Sequence, residues 1–188
     1  MDRLKATRLL LVIIFLLGLS FSARPTYYYM KGIYAQFLLE KAWIITKRTG
    51  NSSKAWSWAD TLPVARLKIP AISLNQIVLQ GEEIEAMAFG PAVVDSSLES
   101  KNISIAGHRD SFFRNLDQLK EGDMIHLERL DSDISYRVSN IIVTEPSDIR
   151  WLEAGANDRL TLVTCYPFNF IGEAPMRYIV IARPELII

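Results

Sequence analysis

From Leu62 onward, hydrophobic and polar residues alternate in short segments that are separated by turn residues. Val64–Ile69 alternates and stops at Pro70, and Ile134–Val143 is the longest such segment. The other predicted strands are rich in aliphatic and β-branched residues: Ile72–Leu74, Gln76–Leu79, Asn102–Ala106, Met124–Glu128, Arg159–Cys165 and Arg177–Ala182. About eight short strands at near-regular spacing predict a mostly-β fold, in the form of a small closed barrel. Two intervening segments, Glu82–Ala88 and Asp148–Ala154, are predicted as short helices, and Phe112–Leu119 is predicted as a short helix or a loop.

The N-terminal pattern is different. Leu9–Ala23 is an uncharged run dominated by Leu, Ile, Val and Phe, and three basic residues precede it, Arg3, Lys5 and Arg8. A membrane-spanning helix needs about 20 apolar residues, with a lower limit near 17, so this run is slightly short. The basic flank and the aromatic group Tyr27–Tyr29 nevertheless favour an uncleaved anchor with its N-terminus in the cytoplasm. The alternative is a signal peptide cleaved near Ser20–Ser22.

Between the apolar run and the barrel, Met30–Lys47 has a helical pattern with basic residues at its end, and Gly50–Ser53 stops it. The tryptophan-containing segment 55–59 is predicted to connect this helix to the barrel. The sequence therefore predicts three parts, which are an N-terminal transmembrane segment over residues 1–24, a helical linker over 25–60 and a β-barrel domain over 61–188.

Composition excludes several classes of function. Basic and acidic residues both number 21, so no positive excess indicates nucleic acid binding. The single cysteine excludes an internal disulfide and a multi-cysteine zinc site. Because free cysteines are usually buried, composition alone favours a buried Cys165.

The positions of three residues indicate a second role for the cysteine, and the residues alone leave both roles open. Cys165 ends a predicted strand just before Pro167, His108 follows the strand Asn102–Ala106, and Arg177 begins the last strand. A thiol is a weak nucleophile until it is deprotonated, and an imidazole can exchange protons with the thiol and with a leaving amine. A guanidinium is a fixed cationic donor for an oxyanion. If their strands are neighbours, the three residues have the roles that acyl transfer requires.

The other candidates are weaker. His126 alternates with Met124 and Glu128 within a strand and is predicted to lie on the surface. Asp110 is near His108 in sequence, but this does not establish that it orients the imidazole. A metal site built from His108, Cys165 and a carboxylate would lack any ligand pair at a known spacing.

The segment Thr161–Cys165 resembles the TLxTC motif of sortases, the membrane-anchored cysteine transpeptidases. Ala106–Asp110 resembles the histidine region of that family, and Arg177, twelve residues past the cysteine, matches the position of its arginine. The resemblance extends over roughly Leu62–Pro184. Further details are most similar to the Gram-negative (class GN) sortases, at Ala55–Leu67, Phe89–Pro91 and Cys165–Phe168.

The resemblance implies an eight-stranded sortase-type closed β-barrel with Cys165 as nucleophile, His108 as general acid and base, and Arg177 as donor to substrate and oxyanion. It implies a secreted protein substrate with a C-terminal LPXTG-like sorting signal, a thioacyl-enzyme intermediate and an amine acceptor. It also implies a catalytic domain on the periplasmic side of the inner membrane. No cofactor is expected, since no acidic cluster predicts calcium. Two alternatives remain, a processing cysteine protease that uses water and a non-catalytic membrane-tethered barrel that binds a partner.

Overall fold

The computed structural model describes residues 2–81, 87–94, 101–151 and 158–185. The chain divides into two compact units, Met1–Phe37 and Leu38–Ile188. The only α-helix of more than one turn in these ranges, α1 (Asp2–Thr49), begins in the first unit and ends in the second. The helix that the sequence predicts for Met30–Lys47 is thus part of a longer one.

The first unit is helical, and its large apolar side chains are exposed at consecutive positions. Leu9 is 62% exposed and Phe21 is 82% exposed, with similar exposure for most residues between them. Among the described residues, no helix meets the combined length and hydropathy that a membrane span requires.

The second unit is built on eight strands: β1 (Pro63–Ile69), β2 (Leu74–Leu79), β3 (Ala92–Val93), β4 (Asn102–Ala106), β5 (Met124–Arg129), β6 (Asp133–Thr144), β7 (Arg159–Tyr166) and β8 (Met176–Pro184). They form a closed barrel in the order β1-β2-β3-β4-β7-β8-β6-β5. Two 3-10 helices, Pro70–Ile72 and Leu116–Gln118, lie in the connections. The predicted mostly-β, eight-stranded closed barrel is confirmed.

Some local predictions differ from the structure. Ile72 belongs to the first 3-10 helix rather than to a strand, and Ser73 has a left-handed backbone (φ 52°) that ends this helix before β2 begins. Strand β3 was not predicted, because two residues carry no alternation. The helix predicted for Asp148–Ala154 is wrong over residues 148–151, which form turns and irregular backbone, and residues 152–154 lie outside the described ranges. Residues 82–86 of the predicted Glu82–Ala88 helix also lie outside them.

Alternation within the strands fills the barrel. Every second residue of β1 is buried, and Leu67, Ile105, Leu127 and Leu162 are fully inaccessible to solvent. A second cluster packs Leu39 and Trp43, from the end of α1, against Ile77, Leu79 and Ala92. The last turns of α1 therefore pack against β2 and β3.

Candidate active site

Cys165 and Arg177 are paired residues on neighbouring strands. Strands β7 and β8 are antiparallel, and Cys165 lies directly opposite Arg177. Side chains of directly opposed residues project from the same face of a sheet, with Cβ atoms about 4.5–5.5 Å apart. Both residues are half-buried. The cysteine is therefore not the fully buried residue that composition favours, and the chain leaves the strand just after it, at a cis Tyr166–Pro167 peptide bond.

His108 is brought to the same region by the parallel pairing of β4 with β7. Ala106 lies opposite Val163, and the Gly107 amide donates to the Val163 carbonyl at 3.1 Å. The Thr164 hydroxyl donates to the Gly107 carbonyl at 2.7 Å. The residue before His108 is thus bonded to the two residues before Cys165, so the backbones of both candidate residues are fixed to one another.

Phe113 fixes the segment that carries His108. Its ring is fully buried in the barrel core, and its amide donates to the His108 carbonyl at 3.0 Å. A Cβ atom placed on Gly107 would lie only 2.8 Å from this ring. Glycine is therefore required at position 107 for the backbone to pass this close to the core.

The first threonine of the TLxTC-like motif has a structural role. Thr161 is fully buried, and its hydroxyl donates to the Asn102 side-chain oxygen at 2.8 Å. The side-chain nitrogen of Asn102, Nδ2, in turn donates to the Trp151 carbonyl at 2.8 Å. This chain of hydrogen bonds joins β7, β4 and the β6–β7 connection, and it satisfies polar groups that would otherwise be unpaired in the interior.

One pocket of about 350 Å³ contains all three predicted site residues, Cys165, His108 and Arg177. This volume falls within the range of about 300–1,000 Å³ that is typical of ligand pockets. The rest of the lining is mostly apolar: Met87, Ala92, Val93, Val94, Ala106, Gly107, Trp151, Val163 and Thr164. Nucleophile, imidazole and guanidinium candidates therefore meet in a largely apolar pocket, where electrostatic interactions are stronger than in water.

Arg177 is bonded to the connection that precedes it. Its Nη1 donates to the carbonyls of Ala174 at 3.3 Å and Met176 at 3.1 Å. A guanidinium has five N–H donors, more than these two bonds use. The position of the Arg177 guanidinium in the pocket therefore depends partly on the β7–β8 connection, residues 167–175, through the Ala174 carbonyl.

Aromatic residues anchor the first part of this connection. The Phe168 ring packs edge-on against the Tyr178 ring with centroids 5.2 Å apart, and Tyr166 stacks on Tyr178 at 6.1 Å. Burial raises the pKa of the Tyr178 hydroxyl. The connection leaves this cluster beyond Phe168, where its residues become exposed.

The remaining candidates lie apart from the pocket. His126 is half-buried rather than at the surface, and its Nδ1 lies 2.9 Å from the Ser135 hydroxyl on the neighbouring strand. Asp110 is exposed, and no hydrogen bond joins it to His108 in the described part of the chain. Within the same ranges, no group of three or more His, Cys, Asp or Glu side chains is arranged to hold a metal ion.

Two residues near the pocket were missed by sequence reasoning. Thr164 joins β7 to the segment that carries His108. The available signal in the sequence was a hydroxyl residue directly before a cysteine at the end of a strand. Arg109 directly follows His108, and its side chain reaches the β7–β8 connection. Nothing in the sequence indicates that contact, because the two segments are about 60 residues apart.

The sortase domain model matches residues 67–185, which cover nearly all of the barrel. The chain belongs to the sortase family. It is 28% identical to Sortase D of Bacillus subtilis over 121 residues, which are 62% of this chain and 61% of that protein. It is 34% identical to Sortase A of Staphylococcus aureus over 82 residues, which are 40% of each chain. The matched region thus spans about three fifths or less of these relatives.

Solved sortase structures have the same fold. A Sortase D5 transpeptidase from Clostridium perfringens superposes with a TM-score of 0.59 and 28% identity, covering 65% of this chain and 79% of that one. Sortase A from Corynebacterium diphtheriae gives a TM-score of 0.62 and 25% identity, covering 70% and 64%. These relatives confirm the family that the TLxTC-like motif indicates, and the class GN assignment stays a prediction.

Proposed function

We propose that this sortase-family protein is a cysteine transpeptidase with Cys165 as nucleophile, His108 as general acid and base, and Arg177 as donor to the substrate and the oxyanion. The observation that supports this most directly is the meeting of these three side chains in one pocket of a sortase barrel. Cys165 lies near the end of β7, Arg177 lies near the start of β8, and His108 follows the end of β4 by two residues.

In the proposed first half-reaction, the Cys165 thiolate attacks the carbonyl carbon of the scissile Thr–Gly bond of the sorting signal. A C–S bond forms and the carbonyl electron pair moves onto oxygen, where the Arg177 guanidinium stabilises the charge. When the oxyanion collapses, the C–N bond breaks and the His108 imidazolium donates its proton to the leaving glycine nitrogen. The products are a thioacyl enzyme and a free amine.

The second half-reaction reverses these roles. An incoming amine attacks the thioester carbonyl, and neutral His108 accepts the proton that the nitrogen loses. The C–S bond breaks, an amide bond forms, and the Cys165 thiolate is regenerated beside an imidazolium. Water could replace the amine, and the product would then be a carboxylic acid.

The proposed substrate is a secreted protein with an LPXTG-like sorting signal near its C-terminus. The apolar lining of the pocket, including Val93, Val163 and Trp151, suits a signal with apolar side chains close to the scissile bond. The similarity to Sortase A proteins supports an LPXTG-like sorting signal as the recognised sequence.

We further propose that Leu9–Ala23 anchors the enzyme in the inner membrane, with a cytoplasmic N-terminus and a periplasmic barrel. The consecutive exposed apolar side chains and the preceding basic residues support this arrangement. We expect the full chain to stay in the membrane fraction after alkaline carbonate washing, and a chain that starts at residue 25 to be released. Release of the full chain would contradict the anchor.

The acceptor is tested by incubating the full chain with an LPXTG-type peptide and a series of primary amines. A transpeptidase gives a peptide–amine adduct whose yield rises with amine concentration. Cleavage that yields only the carboxylic acid at every amine concentration would indicate a processing protease. An unchanged peptide, together with no selective labelling of Cys165 by thiol reagents, would indicate a non-catalytic barrel.

A further inference from the structure

We propose that Arg109 is a positioning residue that holds the β7–β8 connection against the histidine segment and thereby sets the position of Arg177. This inference rests on the proposed function, because it gives Arg177 its role there. Arg109 is absent from the pocket lining, so we assign it no contact with the substrate.

The Arg109 side chain makes three contacts with the outer part of the connection. Its Nη2 donates to the Phe170 carbonyl at 2.6 Å and to the Gly172 carbonyl at 2.9 Å. Its guanidinium carbon lies 5.9 Å from the centre of the Phe170 ring, within the range of a cation–π interaction. One nitrogen of the guanidinium therefore holds two carbonyls that are two residues apart, and the cation also lies against the Phe170 ring.

One nitrogen of the Arg109 guanidinium is buried. This atom, Nη1, is shielded from solvent, although no partner for it lies in the described ranges. Burying part of a charged group without a hydrogen bond is costly. The bonds to Phe170 and Gly172 offset that cost only while the connection stays in place, so the contact is specific to this arrangement.

The segment that Arg109 holds has little other support. Ile171 is 98% exposed, Phe170 is 44% exposed, and Gly172 has a left-handed backbone (φ 101°). The aromatic cluster of Tyr166, Phe168 and Tyr178 ends before this point. Within the described chain, Arg109 is thus the main side chain that fixes the outer part of the connection.

The base of the same connection carries one of the two acceptors of Arg177, the Ala174 carbonyl. Arg177 Nη1 donates to the Ala174 carbonyl, two residues after Gly172. A displacement of the outer part would move this carbonyl and the guanidinium with it. Because misplacement by about 1 Å can cost up to 10²-fold in rate, the link from Arg109 to Arg177 is expected to affect the chemical step.

The test uses Arg109→Met, which keeps an unbranched apolar side chain but removes the donors, and Arg109→Lys, which keeps the charge and part of the bonding. Arg114→Met is the matched control, since Arg114 is an exposed arginine in the same β4–β5 connection. All three are made in the full chain. Two quantities are measured, the rate of chymotryptic cleavage after Phe170, identified by the fragment that begins at Ile171, and the kinetics of peptide cleavage.

We expect Arg109→Met to raise the cleavage rate after Phe170 about tenfold and to lower kcat about tenfold, because the lost bonds release the connection and misplace the guanidinium. KM should change less than kcat. Arg109→Lys should recover part of both effects, and Arg114→Met should match the wild type in both.

Each outcome decides the inference. Unchanged cleavage after Phe170 in Arg109→Met would refute the holding role, whether or not the enzyme is active. Faster cleavage with an unchanged kcat would refute the link to Arg177. An inactive wild type would overturn the proposed function and with it the link to Arg177, while the proteolysis comparison would still decide whether Arg109 holds the connection.

Discussion

Two sides of the candidate site are held in different ways. On one side, β4 and β7 are joined by backbone pairing and by the buried hydroxyls of Thr161 and Thr164. On the other, the β7–β8 connection is exposed beyond Phe168 and is bonded mainly through Arg109 and Arg177. The first side carries His108 and Cys165 on fixed backbones, and the second determines where the Arg177 guanidinium lies.

This difference indicates that the two sides have different functions. Nucleophile and imidazole must keep a constant geometry through both half-reactions, and a buried junction of two hydrogen-bonded strands provides it. Substrate must enter beside them and leave again, and a connection with few bonds allows that movement. Substitutions on the two sides should therefore have different signatures.

The largest effect is expected for Cys165→Ala. Removal of the nucleophile should lower peptide cleavage by about 10⁴-fold or more, to the level of the background reaction. Because the half-buried side chain loses only a sulfur atom, the melting temperature should stay near that of the wild type. Turnover by this variant within tenfold of wild type would refute the role of Cys165.

His108→Ala should lower kcat by about 10²–10⁴-fold, since proton transfer to and from the substrate would be lost. His126→Ala is the matched control, because that imidazole lies outside the pocket and contacts only Ser135 among the described hydrogen-bonding partners. Its kcat should be close to that of the wild type. Equal losses in the two variants would mean that His108 has no special role.

Arg177→Lys is expected to lower kcat/KM by about 10–10³-fold, because an ammonium group cannot reproduce the planar fork towards an oxyanion. Arg183→Lys, at an exposed arginine on the same strand, is the control. If both variants turned over like the wild type, the oxyanion role would have to be assigned elsewhere.

Among these variants, Thr164→Val should have the smallest effect on rate. It tests how the β4–β7 side of the site is held together. The Gly107 carbonyl would lose its hydroxyl partner, at a cost of about 1–3 kcal/mol in the free energy of unfolding. We expect kcat to fall about tenfold because the histidine segment would lose one of the two hydrogen bonds that join Gly107 to the residues before Cys165.

Thr161→Val is the comparison for this prediction. It removes a buried hydroxyl from the same strand and should cost a similar free energy of unfolding, but its bond to Asn102 lies farther from His108. Its kcat should stay within about twofold of wild type. The same fall in kcat for both variants would show that Thr164 acts only through stability.

Most of the β4–β7 side of the site could be predicted from sequence. Alternation predicted β1 and β6, runs of aliphatic and β-branched residues predicted β4 and β7, and Pro167 indicated that Cys165 ends a strand. The parallel pairing of β4 with β7 could not be predicted from alternation, since these strands are separated by two others in the chain. That pairing is what brings His108 beside Cys165.

The other side was less accessible to sequence reasoning. A connection with exposed residues has no hydrophobic period to indicate its path. Its contacts with Arg109 are made across 61 and 63 residues, and they use backbone carbonyls, which any sequence supplies. Strand β3 could not be predicted either, because two residues are too few to show a hydrophobic period.

The central claim is that Cys165 forms a covalent thioacyl intermediate in the pocket that it shares with His108 and Arg177. The most direct measurement is mass spectrometry of the full chain after brief incubation with an LPXTG-type peptide and no amine. The account predicts a mass increase equal to the acyl part of the peptide, located on Cys165, removed by added amine and absent in Cys165→Ala. Peptide cleavage without any adduct on Cys165, or with undiminished rate in Cys165→Ala, would contradict it.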